Sequence, residues 1–197
     1  LFGLRPITDG KIFLEGKELH PKNPRHVIHH GVAFVTEDRK KSGLVLCLPV
    51  FENVNMINVQ RPSLLGYLNW RKLKEIAQRH RKTLNIRVSK IEQVVNSLSG
   101  GNQQKVALSK WLDFSPKVII FDEPTRGIDI GAKTEIYSIM GELAAKGTAI
   151  LMVSSELPEL ISVADKILVM QEGRMKGIVE KAKMTQEYVM SLATMKI

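Results

Sequence analysis

The run Val118-Ile119-Ile120-Phe121-Asp122-Glu123-Pro124-Thr125 sets four apolar residues directly before two carboxylates and a proline. An unbroken apolar run closed by a turn signal reads as a strand buried on both faces, as in a parallel sheet. Asp122 and Glu123 then stand at the mouth of that strand, where acids are costly unless something uses them. The first could hold Mg²⁺, because hard cations prefer carboxylate oxygens. The second could polarise a water that attacks a phosphoryl group. A strand running out into a solvated acidic turn has the same letters, so the pair alone decides nothing.

Upstream stands Leu98-Ser99-Gly100-Gly101-Asn102-Gln103-Gln104-Lys105. A serine and two glycines open a helix expected over 102–112. Glycines let backbone N–H groups approach an anion, and a helix N-terminus is electropositive. The segment suits a phosphate, and it equally suits a plain Ser/Gly helix cap.

Downstream the rhythm continues. Ile136, Ile139, Met140 and Leu143 recur at i, i+3, i+4 and i+7, the period of an amphipathic helix, and Lys146-Gly147 is its expected C-terminal cap. Strands are expected at 148–153 and 166–170, a short helix at 158–163 and a turn at Glu172-Gly173. Before the insertion, 11–15 and 31–35 read as strands, with Gly16 as a turn. Leu1-Phe2-Gly3-Leu4 reads as a helix end. Alternating helices and apolar strands predict an α/β domain with a buried parallel sheet, whose ligand chemistry collects at the C-terminal strand edge.

Residues 45–97 hold few strand signals and most of the basic excess: Arg71, Lys72, Lys74, Arg79, Arg81, Lys82, Arg87 and Lys90. The formal net charge of the chain is +9. Such a stretch can bind nucleic acid or an acidic membrane surface. Trp70, Leu73, Ile76, Ala77 and Leu84 recur between these residues at helical spacing, which favours the solvated face of a helix. The single cysteine, Cys47, lies in an apolar run and is expected to be a small buried hydrophobe. The histidines His20, His26, His29, His30 and His80 are expected at the surface or in loops, and no zinc spacing links them to Cys47. No apolar run reaches the length of a bilayer span, and no signal-peptide pattern is visible, so a cytosolic protein is expected.

The order of the parts is more specific than any one of them. A phosphate-gripping helix start, one helix, a strand, the acid pair, then Arg126-Gly127-Ile128-Asp129: here the chain resembles the ABC ATPase family. LSGGN resembles its signature, with Asn102 at the usual glutamine; VIIFDE resembles its Walker B strand; RGID stands at its D-loop. The resemblance covers essentially the whole chain. It implies a P-loop NTPase core with a mainly parallel sheet, a small antiparallel β part and a helical subdomain, divided as 1–44, 45–97 and 98–197. It also implies that Ser99, Gly100, Gly101 and Asn102 meet the γ-phosphate of ATP held by a second nucleotide-binding domain. Asp122 would support Mg²⁺, Glu123 would be the general base or would position the attacking water, and Asp129 would bridge the two domains.

Two positions depart from the family pattern. The strand at 31–35 leads to Glu37 where a γ-phosphate-sensing glutamine is usual, and Ser155 stands where a switch histidine is usual. With LSGGNQQK, DEPTRGID, VSSELPEL and the C-terminal MTQE, these spellings resemble the second ATPase half of simple-sugar importers. That implies permease subunits as partners, a sugar-binding protein indirectly, and a place on the cytoplasmic face of the membrane. The family's G-x-x-x-x-G-K-[ST] loop is absent from the sequence and is expected before Leu1, so the chain is expected to be a fragment that binds MgATP poorly alone. Two alternatives stand beside this: a non-transport ABC ATPase acting on nucleic acid or ribosomes, and an inert module that only completes another domain's site. No zinc-binding cysteines, long heptad insertion or aromatic stacking pattern support a nucleic-acid partner.

Overall fold

The computed structural model describes residues 1–57 and 68–194; the part of the expected insertion at 58–67 lies outside the described residues. The chain divides into two units, Leu1–Leu151 and Met152–Ile197.

The first unit opens with the antiparallel hairpin β1 (Ile12–Leu14) and β2 (Lys17–Leu19). Glu15 and Gly16 at its turn have φ of 52° and 75°, the positive values that match the twist of a two-residue hairpin. Helix α1 (Pro24–His29) starts at Asn23, whose side chain accepts the His26 N–H at 2.9 Å. Residues 3–5 form a bend, and no helix is assigned over residues 1–4. Gly3 turns instead at φ 79°, packed so close to the Asn23 main chain that a Cβ would lie 2.8 Å from it.

β3 (Val32–Val35) follows, then a single π-type turn at Arg39–Gly43 capped by Asp38, which accepts the Lys40 and Lys41 N–H groups at 3.1 Å each. Helices α2 (Val50–Asn55) and α3 (Trp70–Thr83) share a core with the loop after them: Val50, Phe51, Val54, Ala77, Leu84, Ile86 and Val95. Asn53 is fully buried in it and satisfied, taking the Val45 N–H and returning a bond to Val45 O, both at 2.9 Å. The basic face of α3 is solvated as expected, and part of it is paired: Arg71 with Glu75, Lys74 with Glu92, Arg79 with Asp113. Two expectations fail in this region. Cys47 is exposed, because Leu48 N–H closes a turn on Val45 O at 3.0 Å and Cys47 sits on its outside. His80 is 5% exposed, because its Nε2 meets Asp113 Oδ1 at 2.8 Å, which compensates burial of the ring.

α4 (Gly100–Leu112) is buried almost all round, polar residues included. Lys105 Nζ donates to Asn85 O at 2.9 Å and Gln103 Nε2 to Val95 O at 3.2 Å. Lys110 reaches Gly43 O, and burial holds its ammonium down to about 8. β4 (Val118–Asp122) pairs in parallel with β3, Val32 opposite Val118 through Val35 opposite Phe121. Both strands are buried, as their apolar runs require. α5 (Ile130–Ala145) buries Ile136 and Met140, with Ile139 and Leu143 half-buried. It ends as expected at Gly147, φ 92°: the Gly147 N–H bonds Ala144 O at 2.9 Å and the Thr148 N–H bonds Leu143 O at 3.1 Å, a Schellman cap. β5 (Ala149–Val153) completes the order β3-β4-β5. Its side chains alternate between half-buried and exposed, so the expected full burial stops at β4; β5 is the edge of this sheet among the described residues.

The second unit holds α6 (Leu157–Val163), the antiparallel hairpin β6 (Lys166–Gln171) and β7 (Arg174–Glu180), and α7 (Gln186–Thr194). Glu172 and Gly173, at φ 49° and 75°, make the expected turn. Ile167, Val169, Val179, Met184 and Val189 form its core. No helix among the described residues is long and apolar enough to cross a membrane.

Candidate functional site

Two helix N-termini meet in the first unit. Ser99 caps α4: its Oγ accepts the Asn102 N–H at 3.5 Å and Asn102 Nδ2 at 2.9 Å. Asn102 Oδ1 in turn accepts the Arg87 N–H at 2.7 Å. Asp129 caps α5, its Oδ1 accepting the Ala132 N–H at 2.9 Å. The two starts are packed close: a Cβ on Gly101 would lie 2.5 Å from Ala132 Cβ, and one on Gly100 would lie 2.9 Å from Gly127 O. Between them is a cavity of about 160 Å³ lined by Ser99, Gly101, Asn102 and Asp129, with Arg87, Lys105 and Glu135 at its flank. The hydrogen bond from Lys105 holds the Glu135 carboxyl below its usual range, and the charges of Lys105 and Arg87 add to this. Arg87 and Lys105 both pair with Glu135 and Asp129 already caps α5, so what the cavity offers an anionic ligand is the Ser99 hydroxyl and the start of α4.

Asp122 ends β4 and Glu123 follows at φ 47°, a left-handed backbone that a non-glycine residue adopts at a cost of order 1–3 kcal/mol. The chain then turns, Arg126 N–H to Glu123 O at 3.2 Å, through Gly127 at φ 69°. Both acids are half-buried, and neither lines the cavity of Ser99 and Asp129. Among the described residues no three His, Cys, Asp or Glu side chains converge on a metal position. An acid pair of this kind fits Mg²⁺ that takes its remaining ligands from phosphate and water.

Sequence reasoning missed Arg39. It is 8% exposed, and its guanidinium donates to Arg126 O at 2.9 Å (Nη1), to Gly127 O at 3.2 Å (Nη2) and weakly to Gln103 Oε1 at 3.4 Å (Nε). Burial lowers its pKa. Two positions before it, Glu37 forms an ion pair with Arg126. The segment after β3 is therefore bound to the turn after β4 at two places. The only hint was the dense charge of Glu37-Asp38-Arg39-Lys40. Ser155, in the second unit, is exposed; beside it Ser154 Oγ accepts the Glu156 N–H at 3.0 Å and donates to Glu159 Oε2 at 3.2 Å.

A buried parallel pair of strands ending in Asp122-Glu123, beside a glycine-opened helix whose cap faces Asp129, defines a domain of the ATP-binding-cassette class. The chain belongs to the ABC transporter family, whose profile matches residues 1–126. It is 42% identical over 194 residues to the ribose import ATP-binding protein RbsA of Geobacillus kaustophilus and 46% identical over 194 residues to that of a Bacillus cereus strain. Each match covers 98% of this chain and 39% of the relative, so the chain spans well under half the length of these curated relatives. Its fold is similar to a nucleotide-free ATP-binding cassette from an ABC transporter, with a TM-score of 0.79 and 21% identity, over 99% of this chain and 81% of the other. It is also similar to the ADP conformation of another such cassette, with a TM-score of 0.75 and 20% identity, over 96% and 78%.

Proposed function

We propose that the chain serves a carbohydrate importer as part of its ATPase, presenting its signature to MgATP held by a second nucleotide-binding domain. The cavity that brings Ser99 and Asp129 together at two helix starts is the observation that supports this. Ser99, Gly100 and Gly101 would receive the γ-phosphate, with Asn102 behind them and Asp129 reaching toward the second domain. Asp122 would hold Mg²⁺ and Glu123 would orient the attacking water at the chain's own strand edge; Mg²⁺ supplies charge neutralisation on the phosphates. Glu37 and Ser155 would stand in place of the usual sensing groups. Permease subunits on the cytoplasmic face of the membrane would receive the resulting motion. The similarity to ribose import ATP-binding proteins supports a sugar as cargo.

The test is ATP turnover by this chain assembled with a nucleotide-binding partner domain. Ser99→Arg fills the cavity and is expected to lower turnover by about 10²-fold, the scale of losing a transition-state donor. Ser155→Ala is expected to change it by much less. The reverse ranking refutes a signature that serves the other domain's nucleotide.

A further inference from the structure

The two attachments of the segment after β3 differ in kind. Arg39 is buried, and its planar fork engages the successive carbonyls of Arg126 and Gly127. A buried guanidinium is tolerated only when its donors are satisfied, so this contact is not readily released. The Glu37–Arg126 pair lies outside it, with side chains 44% and 68% exposed. Exposed pairs contribute little net stability, and they open easily. Arg39 also abuts the start of α4, since a Cβ on Gly100 would lie 2.8 Å from its Nη2. One side chain thus touches the segment after β3, the loop leading to Asp129 and the first turn of the signature helix.

We propose that Arg39 is a positioning residue that sets Asp129 against Ser99, and that the Glu37–Arg126 pair is a releasable latch over it. The inference rests on the reading that Ser99 and Asp129 act on a partner domain's ATP. Arg39 acts through the carbonyls of residues 126 and 127, which fix the path of the chain into the cap of α5. The latch gives the Glu37 carboxylate to the protein itself, in place of a contact with nucleotide.

The experiment measures kcat and KM for MgATP in the assembly of this chain with its nucleotide-binding partner domain. Thermal unfolding of each variant is followed in parallel. Arg39→Lys keeps the charge and loses the fork. It is expected to lower kcat about tenfold or more, as small misplacements do, with KM changed less than twofold. Glu37→Arg and Arg126→Glu are each expected to lower kcat, and the double exchange to restore it to within about threefold, with melting temperatures nearly constant across the set. A folded Arg39→Lys assembly with normal kcat overturns the positioning role. A double exchange as impaired as the product of its singles overturns the latch. Ser99→Arg runs as the reference. If it leaves turnover intact, the underlying reading falls; if it disables turnover while Arg39→Lys and the two single charge reversals behave as wild type, only the present inference falls.

Discussion

Replacing Gly101 by alanine puts a methyl group where Ala132 already stands. The 2.5 Å separation from Ala132 Cβ compares with about 3.5–4.0 Å for an ordinary carbon contact, so α4 and α5 must part by about 1 Å at their starts. Neither methyl can rotate away, because each is fixed to a helical backbone. Overpacking of this kind costs about 1–3 kcal/mol, while alanine in place of helical glycine returns roughly 0.5–1 kcal/mol. Gly101→Ala is therefore expected to destabilise by roughly 0–2.5 kcal/mol. Ala132→Gly alone loses its helix preference and the burial of one methyl, about 1–2 kcal/mol together. In the double variant Gly101→Ala/Ala132→Gly the clash is gone and the helix terms cancel. The pair is expected to show a favourable coupling of about 2–4 kcal/mol in a double-mutant cycle, the relieved clash plus the burial of one methyl. Urea unfolding of the four proteins, with m-values compared to check that the unfolded states match, measures it. Additivity within about 0.5 kcal/mol shows that the helix starts are not in contact and refutes the packing argument.

Three further outcomes follow from other contacts. Asp129→Ala removes the cap on α5 and is expected to cost about 1 kcal/mol in urea unfolding, against a few tenths for Asp129→Asn. Burial raises the Asp113 carboxyl, but the hydrogen bond and charge of His80 with the charge of Arg79 bring it net below its ordinary value of 3.8. Its stabilisation is fully present above that unfolded value and is lost as pH falls through the lower folded one. The unfolding midpoint of Asp113→Asn should accordingly lie below wild type at about pH 7, and the gap should narrow progressively as pH falls below 3.8. Lys110 titrates at about 8 when folded, against an ordinary value of 10.5 in the unfolded chain. The unfolded chain binds more protons between those values, so stability rises with pH across that window. Lys110→Met is expected to abolish that rise, and a rise equal to wild type would place the charge elsewhere.

The elements that fix the site were legible because local chemistry agrees with their tertiary fate. The apolar run before Asp122 is a buried strand, and Ser99 and Gly147 mark a helix start and a helix end by capping rules that need no distant partner. What stayed hidden depends on partners far along the chain. His80 is buried because Asp113 lies opposite it, 33 residues on. Arg39 is buried because residues 126 and 127 offer it carbonyls, 87 and 88 residues on. No periodicity marks either residue. Cys47 was misjudged for a local reason: an apolar neighbourhood does not reveal which of its members a tight turn points outward. Glu123 shows a further limit, since its left-handed backbone is imposed by its place after β4 and by no preference of glutamate.

The cap at Ser99 has a direction. A main-chain N–H can only donate, so Arg87 forces the oxygen of the Asn102 amide toward itself and turns the –NH₂ toward Ser99. The serine oxygen accepts this group at 2.9 Å and the Asn102 main-chain N–H more weakly at 3.5 Å, so its own proton points away from Asn102. Hydrogen-bond polarity thus passes outward from Arg87 through Asn102 to Ser99 and ends in a donor. A ligand that offers only lone pairs, such as a fully ionised phosphoryl oxygen, completes the sequence. A ligand that offers an ammonium or amide proton meets another proton there. If Ser99 meets a phosphoryl group as proposed, that preference would reside in an asparagine side chain and a main-chain amide, neither of which has to touch the ligand.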